Sequence, residues 1–175
     1  MFLDLSKIRA AREHYEGRYE PAAFSADGDS FSVAAPVALD LEIFKDKRQF
    51  RLVGTTKTTL ELACGRCLEP FQLVVDASFD LRYQPHADAA ATTVPDLEVE
   101  EDDLATAFYE DDRIDLGQLM REQFLLAVPM KPLCRDECRG LCVECGTNLN
   151  RGTCECRRTW EDPRFAALRE LKTKH

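Results

Sequence analysis

Residues 37–83 read VALDLEIFKDKRQFRLVGTTKTTLELACGRCLEPFQLVVDASFDLRY. Three runs inside this stretch, 37–44, 49–64 and 71–83, are rich in Val, Leu, Phe and Thr, and LDLEIF and FDLRY alternate apolar and polar residues at the two-residue period of a half-buried strand. The polar connections at 45–48 and 65–70 are too short for a crossover helix, so neighbouring strands are expected to pair antiparallel.

Outward from this centre the pattern changes to helical spacing. On the N-terminal side, residues 5–15 predict a helix capped by Ser6 or Asp4. On the C-terminal side, Asp115 is placed to cap a helix running through Leu126, with Leu116, Leu119, Met120, Gln123 and Phe124 on one face and Pro129 near its end. Asp162-Pro163 opens a last predicted helix over 163–172, lined by Phe165, Leu168 and Leu171. These stripes are read as core packing. The expected class is α+β, an antiparallel β-region followed by helices and a cysteine-rich zinc-binding tail. It divides into a β-rich region with an N-terminal helix (1–85), an acidic connection (86–114) and a helical region with the cysteine module (115–175).

At 175 residues the chain has room for one domain, or one with a small appendage. Its 23 Lys+Arg against 32 Asp+Glu give a net charge of −9, which argues against coating nucleic acid or an anionic membrane through the overall field. The charge is uneven. Residues 131–175 carry 10 Lys+Arg and 7 Asp+Glu, a balance of +3, which leaves 13 against 25, or −12, on residues 1–130. Residues 86–115 hold eleven acids and a single cation, Arg113, and read as an exposed connection. The apolar stretches 31–39 and 124–130 fall well short of the roughly 20 residues that span a bilayer. Asp4, Lys7 and Arg9 interrupt any secretory h-region, so a cytoplasmic protein with no membrane partner is expected.

In a reducing compartment, clustered thiols usually hold metal rather than pair as disulfides. There are eight cysteines. Cys64-Gly-Arg-Cys67 follows a predicted strand, and Cys134, Cys138, Cys142, Cys145, Cys154 and Cys156 fall within 23 residues. Gly140 and Gly146 flank the Cys142–Cys145 pair, and a Gly after the second ligand suits the left-handed turn of a zinc knuckle. Zinc takes four thiolates tetrahedrally without redox chemistry, so one or two closed, structural zinc sites are expected. The preferred division is Cys142, Cys145, Cys154 and Cys156 in one site, with Cys64, Cys67, Cys134 and Cys138 clamping the β-region to the tail. A single site from Cys64, Cys67, Cys142 and Cys145, or an iron–sulfur cluster, stays open.

Catalytic signatures are missing. His14, His86 and His175 neighbour no nucleophile, and there is no P-loop, dinucleotide fingerprint or His-Glu-x-x-His. The run 98–103 lacks the ligand periodicity of a calcium loop, and the C-x-x-C pairs lack the strand-to-helix setting of a thiol–disulfide enzyme. A protein without catalysis and without a small-molecule substrate is expected. Between residues 132 and 171 every cation is arginine, whose planar fork suits phosphate and stacks on bases. Arg135, Arg139, Arg151, Arg157, Arg158 and Trp160, the lone tryptophan, are the candidate RNA-contacting residues. The plain alternative is that these arginines solvate a small zinc module and pair with nearby acids.

Several motifs in this order resemble one family. They are Cys64-Gly-Arg-Cys-Leu-Glu-Pro-Phe71, Asp115-Leu-Gly117, the prolines Pro129 and Pro132, Cys134-x3-Cys-x-Gly-Leu-Cys-x2-Cys-Gly-x-Asn-Leu-Asn150, and Asp162-Pro-Arg-Phe165 with Leu168. They resemble the bacterial and plastid YceD family over about residues 30–171, with Val143 where many members have proline. The family is named for accumulation of large-subunit (23S) ribosomal RNA. The resemblance implies a role in making or protecting the large ribosomal subunit, with rRNA or a ribosomal or assembly protein as partner. It carries over the Cys64/Cys67 pair and the Cys142/Cys145 knuckle with Asn148-Leu149-Asn150, and no catalytic residue. A zinc-stabilised protein–protein adaptor and a dithiol redox protein are the other readings.

Overall fold

The computed structural model describes residues 1–24, 30–86 and 106–156. Its centre is the segment read above. Strands β4 (Val37–Asp46), β5 (Gln49–Ala63) and β6 (Pro70–Pro85) form a continuous antiparallel meander, flanked by β2 (Arg12–Tyr19) on β4 and by β7 (Thr106–Tyr109) on β6. β7 alone runs parallel, pairing Arg82 with Thr106 through Pro85 with Tyr109.

The short β3 (Phe31–Val33) shares one edge of β5 with β4, covering Leu60–Leu62 where β4 covers Gln49–Lys57. Between them Pro36 has no N–H to give the ladder, and the gap is closed from Ala34 N to Thr59 O (2.8 Å) and from Thr58 Oγ1 to Ala35 O (2.9 Å). Leu41 faces Gly54, where a β-carbon would run into the Asp40 carbonyl, so glycine is what lets β4 and β5 approach there. A separate two-stranded sheet pairs β1 (Phe2–Asp4) with β8 (Arg113–Asp115). Segment 86–114, read as a connection, thus contains β7 and the start of β8 among its described residues.

The two-residue alternation puts Val37, Leu39, Leu41 and Ile43 of β4, Phe50, Leu52, Leu60 and Leu62 of β5, and Val75, Phe79 and Tyr83 of β6 on one buried face. The helix α1 (Leu116–Ala127) covers it with Leu116, Leu119, Met120, Gln123 and Phe124, the stripe expected from the sequence. Asp115 caps it, its carboxylate accepting from Gly117 N (2.8 Å) and Gln118 N (3.3 Å). Phe124 is fully buried, edge-on to Phe24 (5.6 Å between centroids) and Phe31 (6.3 Å), which joins helix and sheet into one core.

The helical pattern over 5–15 is a misreading. Only Leu5–Lys7 forms a 3-10 turn, capped by Asp4. The Glu13 carboxylate accepts from Arg9 N (2.9 Å) and Ala10 N (3.1 Å), and the chain then enters β2, which pairs with β4 over eight residues. Cross-sheet pairing outweighs a weak local preference. The expected plural of helices is therefore one α-helix among the described residues, in a mostly β structure; the helix expected over 163–172 lies outside them. Among the described residues no helix is long and apolar enough to cross a membrane.

Candidate metal centres

Register fixes the first centre. β5 and β6 are paired up to Ala63 opposite Pro70, so residues 64–69 are the loop of the longest hairpin, and Cys64 and Cys67 stand at its tip. Cys64 continues the inward-facing row of β5 and is completely buried, and Cys67 is 4% exposed. The loop is held by Cys64 N donating to Glu69 O (2.9 Å) and Leu68 N donating to Cys64 O (2.9 Å), with Leu68 at φ +60.

The segment after α1 is brought against this tip by backbone and guanidinium contacts. Gly65 N donates to Pro132 O (2.7 Å) and Leu141 N to Arg66 O (3.1 Å). The Arg66 guanidinium donates to the carbonyls of Cys138 (2.9 Å) and Asp136 (3.3 Å). The result places Cys134 and Cys138 beside Cys64 and Cys67, with sulfur separations of 3.8 Å for Cys64–Cys138 and for Cys67–Cys134. All four sulfurs lie within 4.8 Å of one another.

Cys142, Cys145, Cys154 and Cys156 form a second tetrad by the same measure. Its knuckle repeats the first bond for bond. Cys142 N donates to Thr147 O (2.8 Å) and Gly146 N to Cys142 O (2.9 Å), with Gly146 at φ +72 in the position of Leu68. The two centres share a frame. Leu149 N donates to Gly140 O (2.9 Å), and Asn150 sends its amide N–H to Cys138 Sγ (3.3 Å) while its carbonyl accepts from Arg139 N (2.8 Å).

The donor sets fit a tetrahedral ion. Four sulfurs about 2.3 Å from zinc stand about 3.8 Å apart, whereas a disulfide would bring them to about 2.05 Å. The protonation pattern points the same way. Burial pushes the Cys64 thiol up, but backbone N–H groups of Cys134, Cys67 and Arg66 overcome it and bring it down to about 6. Cys134 is pushed up to about 12 by loss of solvent at its sulfur and by the three neighbouring thiols. In the second tetrad the Thr147 hydroxyl, 3.1 Å from Cys145 Sγ, helps bring Cys145 down to about 6, while contact with Cys145 pushes Cys156 up to about 12. In the first tetrad Cys138 is also lowered, chiefly by the Asn150 amide, while Cys67 is raised, so each tetrad favours some thiolates and resists four, and a bound cation is what would let all four ionise.

The division into fours is the one the spacing favoured. The sequence did not expose Arg66 as the clasp between hairpin and tail, nor Leu68 as the counterpart of Gly146. Asn150 belonged to the motif quoted above, but its work on Cys138 is visible only in three dimensions. Of the candidate RNA-contacting residues, Arg135 and Arg139 are exposed with no side-chain ion pair among the described residues, whereas Arg151 pairs with Glu69 (2.8 Å). Arg157, Arg158 and Trp160 lie outside the described residues.

A family model described as "Large ribosomal RNA subunit accumulation protein YceD" matches residues 52–172, which takes in α1, both tetrads and the central hairpin. The chloroplastic YCED homolog 1 of Arabidopsis thaliana, a large ribosomal RNA subunit accumulation protein, is 27% identical over 165 residues, covering 83% of this chain and 51% of its own. The Zea mays protein of the same description is 26% identical, covering 78% of this chain and 54% of its own. An uncharacterised protein of Mycobacterium tuberculosis is 29% identical over 176 residues, covering 98% of this chain and 81% of its own. The chain thus spans about half the length of the plant relatives it matches. No solved structure matches it.

Proposed function

Since the chain belongs to the YceD family, we propose that it is a non-catalytic, zinc-binding factor of large ribosomal subunit biogenesis that supports the accumulation or processing of 23S rRNA in the cytoplasm. The observation that carries the metal half of this reading is the pair of four-cysteine clusters, each with its sulfurs within 4.8 Å of one another, and the 3.8 Å sulfur separations of the first. Cys64, Cys67, Cys134 and Cys138 would hold one zinc ion, and Cys142, Cys145, Cys154 and Cys156 a second. Such an ion supplies a tetrahedral cross-link and no redox chemistry of its own. Four protein ligands leave no open position for water or substrate, which is why the centres are read as structural and the protein as no enzyme.

The family's name supports the ribosomal half, and the exposed Arg135 and Arg139 on the frame of the first tetrad supply free guanidinium groups for phosphate. The acidic remainder, −12 over residues 1–130, disfavours indiscriminate RNA binding and suits a basic ribosomal protein alongside the RNA. A protein–protein adaptor remains the second reading because Leu68 and Val143, one in each knuckle, are 67% and 72% exposed.

The test is the ratio of large- to small-subunit rRNA in cells depleted of the protein and re-supplied with it or with Cys142→Ser, Cys145→Ser. Selective loss of large-subunit rRNA that only the unaltered protein restores is the expected result. An unchanged ratio on depletion overturns the ribosomal role.

A further inference from the structure

The two tetrads repeat one hydrogen-bond pattern but occupy unlike surroundings. In the first, Cys64, Cys67 and Cys138 are at most 4% exposed, and the knuckle is the loop of the central hairpin, packed against Phe71 and Leu133. Its sulfurs come from segments as far apart as 67 and 74 residues, and Gly65 and Arg66 tie those segments together independently of the ligands. In the second, Cys145 and Cys156 are exposed and Cys142 and Cys154 half-buried. All four lie within a single stretch of fifteen residues, 142–156. Among the described residues Gly146 and Gly152 have nothing within 4 Å of where a β-carbon would sit.

From this contrast we infer that the Cys142–Cys145–Cys154–Cys156 centre is an exchangeable, peroxide-sensitive metal site, whereas the hairpin centre keeps its ion. The inference rests on the zinc reading above and adds a regulatory role to one of the two sites.

The chemistry uses the two exposed sulfurs. The Cys145 thiolate attacks a peroxide oxygen, the O–O bond breaks, and the sulfur becomes a sulfenic acid as hydroxide departs. The neighbouring Cys156 sulfur attacks that sulfenic sulfur and expels the second hydroxide, closing a Cys145–Cys156 disulfide. The sulfurs lose two electrons, hydrogen peroxide gains them, and two protons complete two waters. Cys142 and Cys154 are then too few to retain the dication, which leaves for solvent. A dithiol reductant reverses the bond and the site refills. The hairpin centre exposes Cys134 only, so peroxide reaches one of its sulfurs where the tail centre offers two.

Full-length protein purified under reducing conditions is weighed by native mass spectrometry, then treated with increasing hydrogen peroxide, with zinc release and disulfides followed together. Two ions before peroxide are the result the zinc reading requires, and a metal-free protein at that stage sinks that reading before the order of loss is asked. The expected course is loss of one ion of the two, with a Cys145–Cys156 disulfide mapped by peptide analysis and full recovery on adding a dithiol and zinc. Cys145→Ser, Cys156→Ser protein should start with one ion and keep it at the dose that discharges the unaltered protein. Simultaneous loss of both ions, a first disulfide among Cys64, Cys67, Cys134 and Cys138, or release without any disulfide overturns the inference while leaving the zinc content intact.

Discussion

Gly140 and Gly146 form a natural controlled pair. Both are left-handed, at φ +74 and +72, so alanine at either carries the same backbone penalty. That penalty is about 1–2 kcal/mol, offset by about 0.4–1 kcal/mol from the stiffer unfolded chain, leaving about 1 kcal/mol. Their surroundings differ. Among the described residues a β-carbon at Gly146 meets nothing within 4 Å, whereas at Gly140 it sits 3.0 Å from the Arg66 carbonyl oxygen and 3.3 Å from its β-carbon. That carbonyl accepts from Leu141 N (3.1 Å), one of the bonds fixing the tail to the hairpin tip. Displacing it adds about 1 kcal/mol for a lost hydrogen bond. Gly140→Ala should therefore cost about 2 kcal/mol and Gly146→Ala about 1 kcal/mol, a roughly 30-fold against a roughly 5-fold loss of zinc affinity at the adjoining centre. Competition with a chelator of known affinity, read for each centre in protein lacking the other, measures both. Equal losses would show that the close approach of Gly140 to Arg66 does not matter, and with it the clasp between hairpin and tail.

Removing metal from the intact protein opens a staple between residues 67 apart, worth about 4 kcal/mol by the loop-closure rule, so a strong chelator should lower the calorimetric midpoint by roughly 10 °C, and no shift would contradict a structural ion. Asp115→Ala leaves Gly117 N and Gln118 N without their cap and should cost about 1 kcal/mol in denaturant unfolding, with Asp115→Asn close to neutral. Burial, with Glu122 and Asp115 nearby, raises the Tyr83 hydroxyl from 10 to about 12. Its contribution is complete below pH 10 and lost as pH rises toward 12, by at most about 2–3 kcal/mol, and Tyr83→Phe should flatten that part of a stability-against-pH curve. Leu68 holds a left-handed φ of +60 with its side chain 67% exposed, so Leu68→Gly exchanges about 1–2 kcal/mol of strain for about 0.5–1 kcal/mol of unfolded-state entropy. Thermal unfolding should show no loss and up to about 1 kcal/mol of gain.

What could be read in advance was whatever depends on local period and spacing. The alternation over 37–83 foretold β4, β5 and β6, and Asp115 with the stripe from Leu116 to Phe124 foretold α1, because each pattern repeats within a few residues. Residues 5–15 misled because Ile8, Tyr15 and the charges around them satisfy a helical spacing loosely, while the deciding contact is β4, about 30 positions away. The parallel placement of β7 was out of reach for the same reason. The cysteines were legible as metal-compatible clusters from their density and spacing. What joins them across the chain, an arginine donating to two carbonyls and an asparagine amide on a sulfur, has no periodic signature.

The hairpin predicts an uneven dependence between the two centres. A tight turn between β5 and β6 would close with two residues, yet this connection uses six and places a buried cysteine as the next inward-facing residue after Leu60 and Leu62. The sheet register therefore dictates where the first centre lies, and the first centre dictates where the tail begins, since Gly65, Arg66 and the Cys64–Cys138 contact set residues 132–141 against the tip. The second centre adds no strand to the sheet, and it touches the first through Asn150 on Cys138 and Arg151 on Glu69. Metal loss at the hairpin should thus loosen both centres, whereas metal loss at the tail should leave the β-sheet as it is and reach the first centre only through Asn150 and Arg151, an asymmetry that follows from chain order and register.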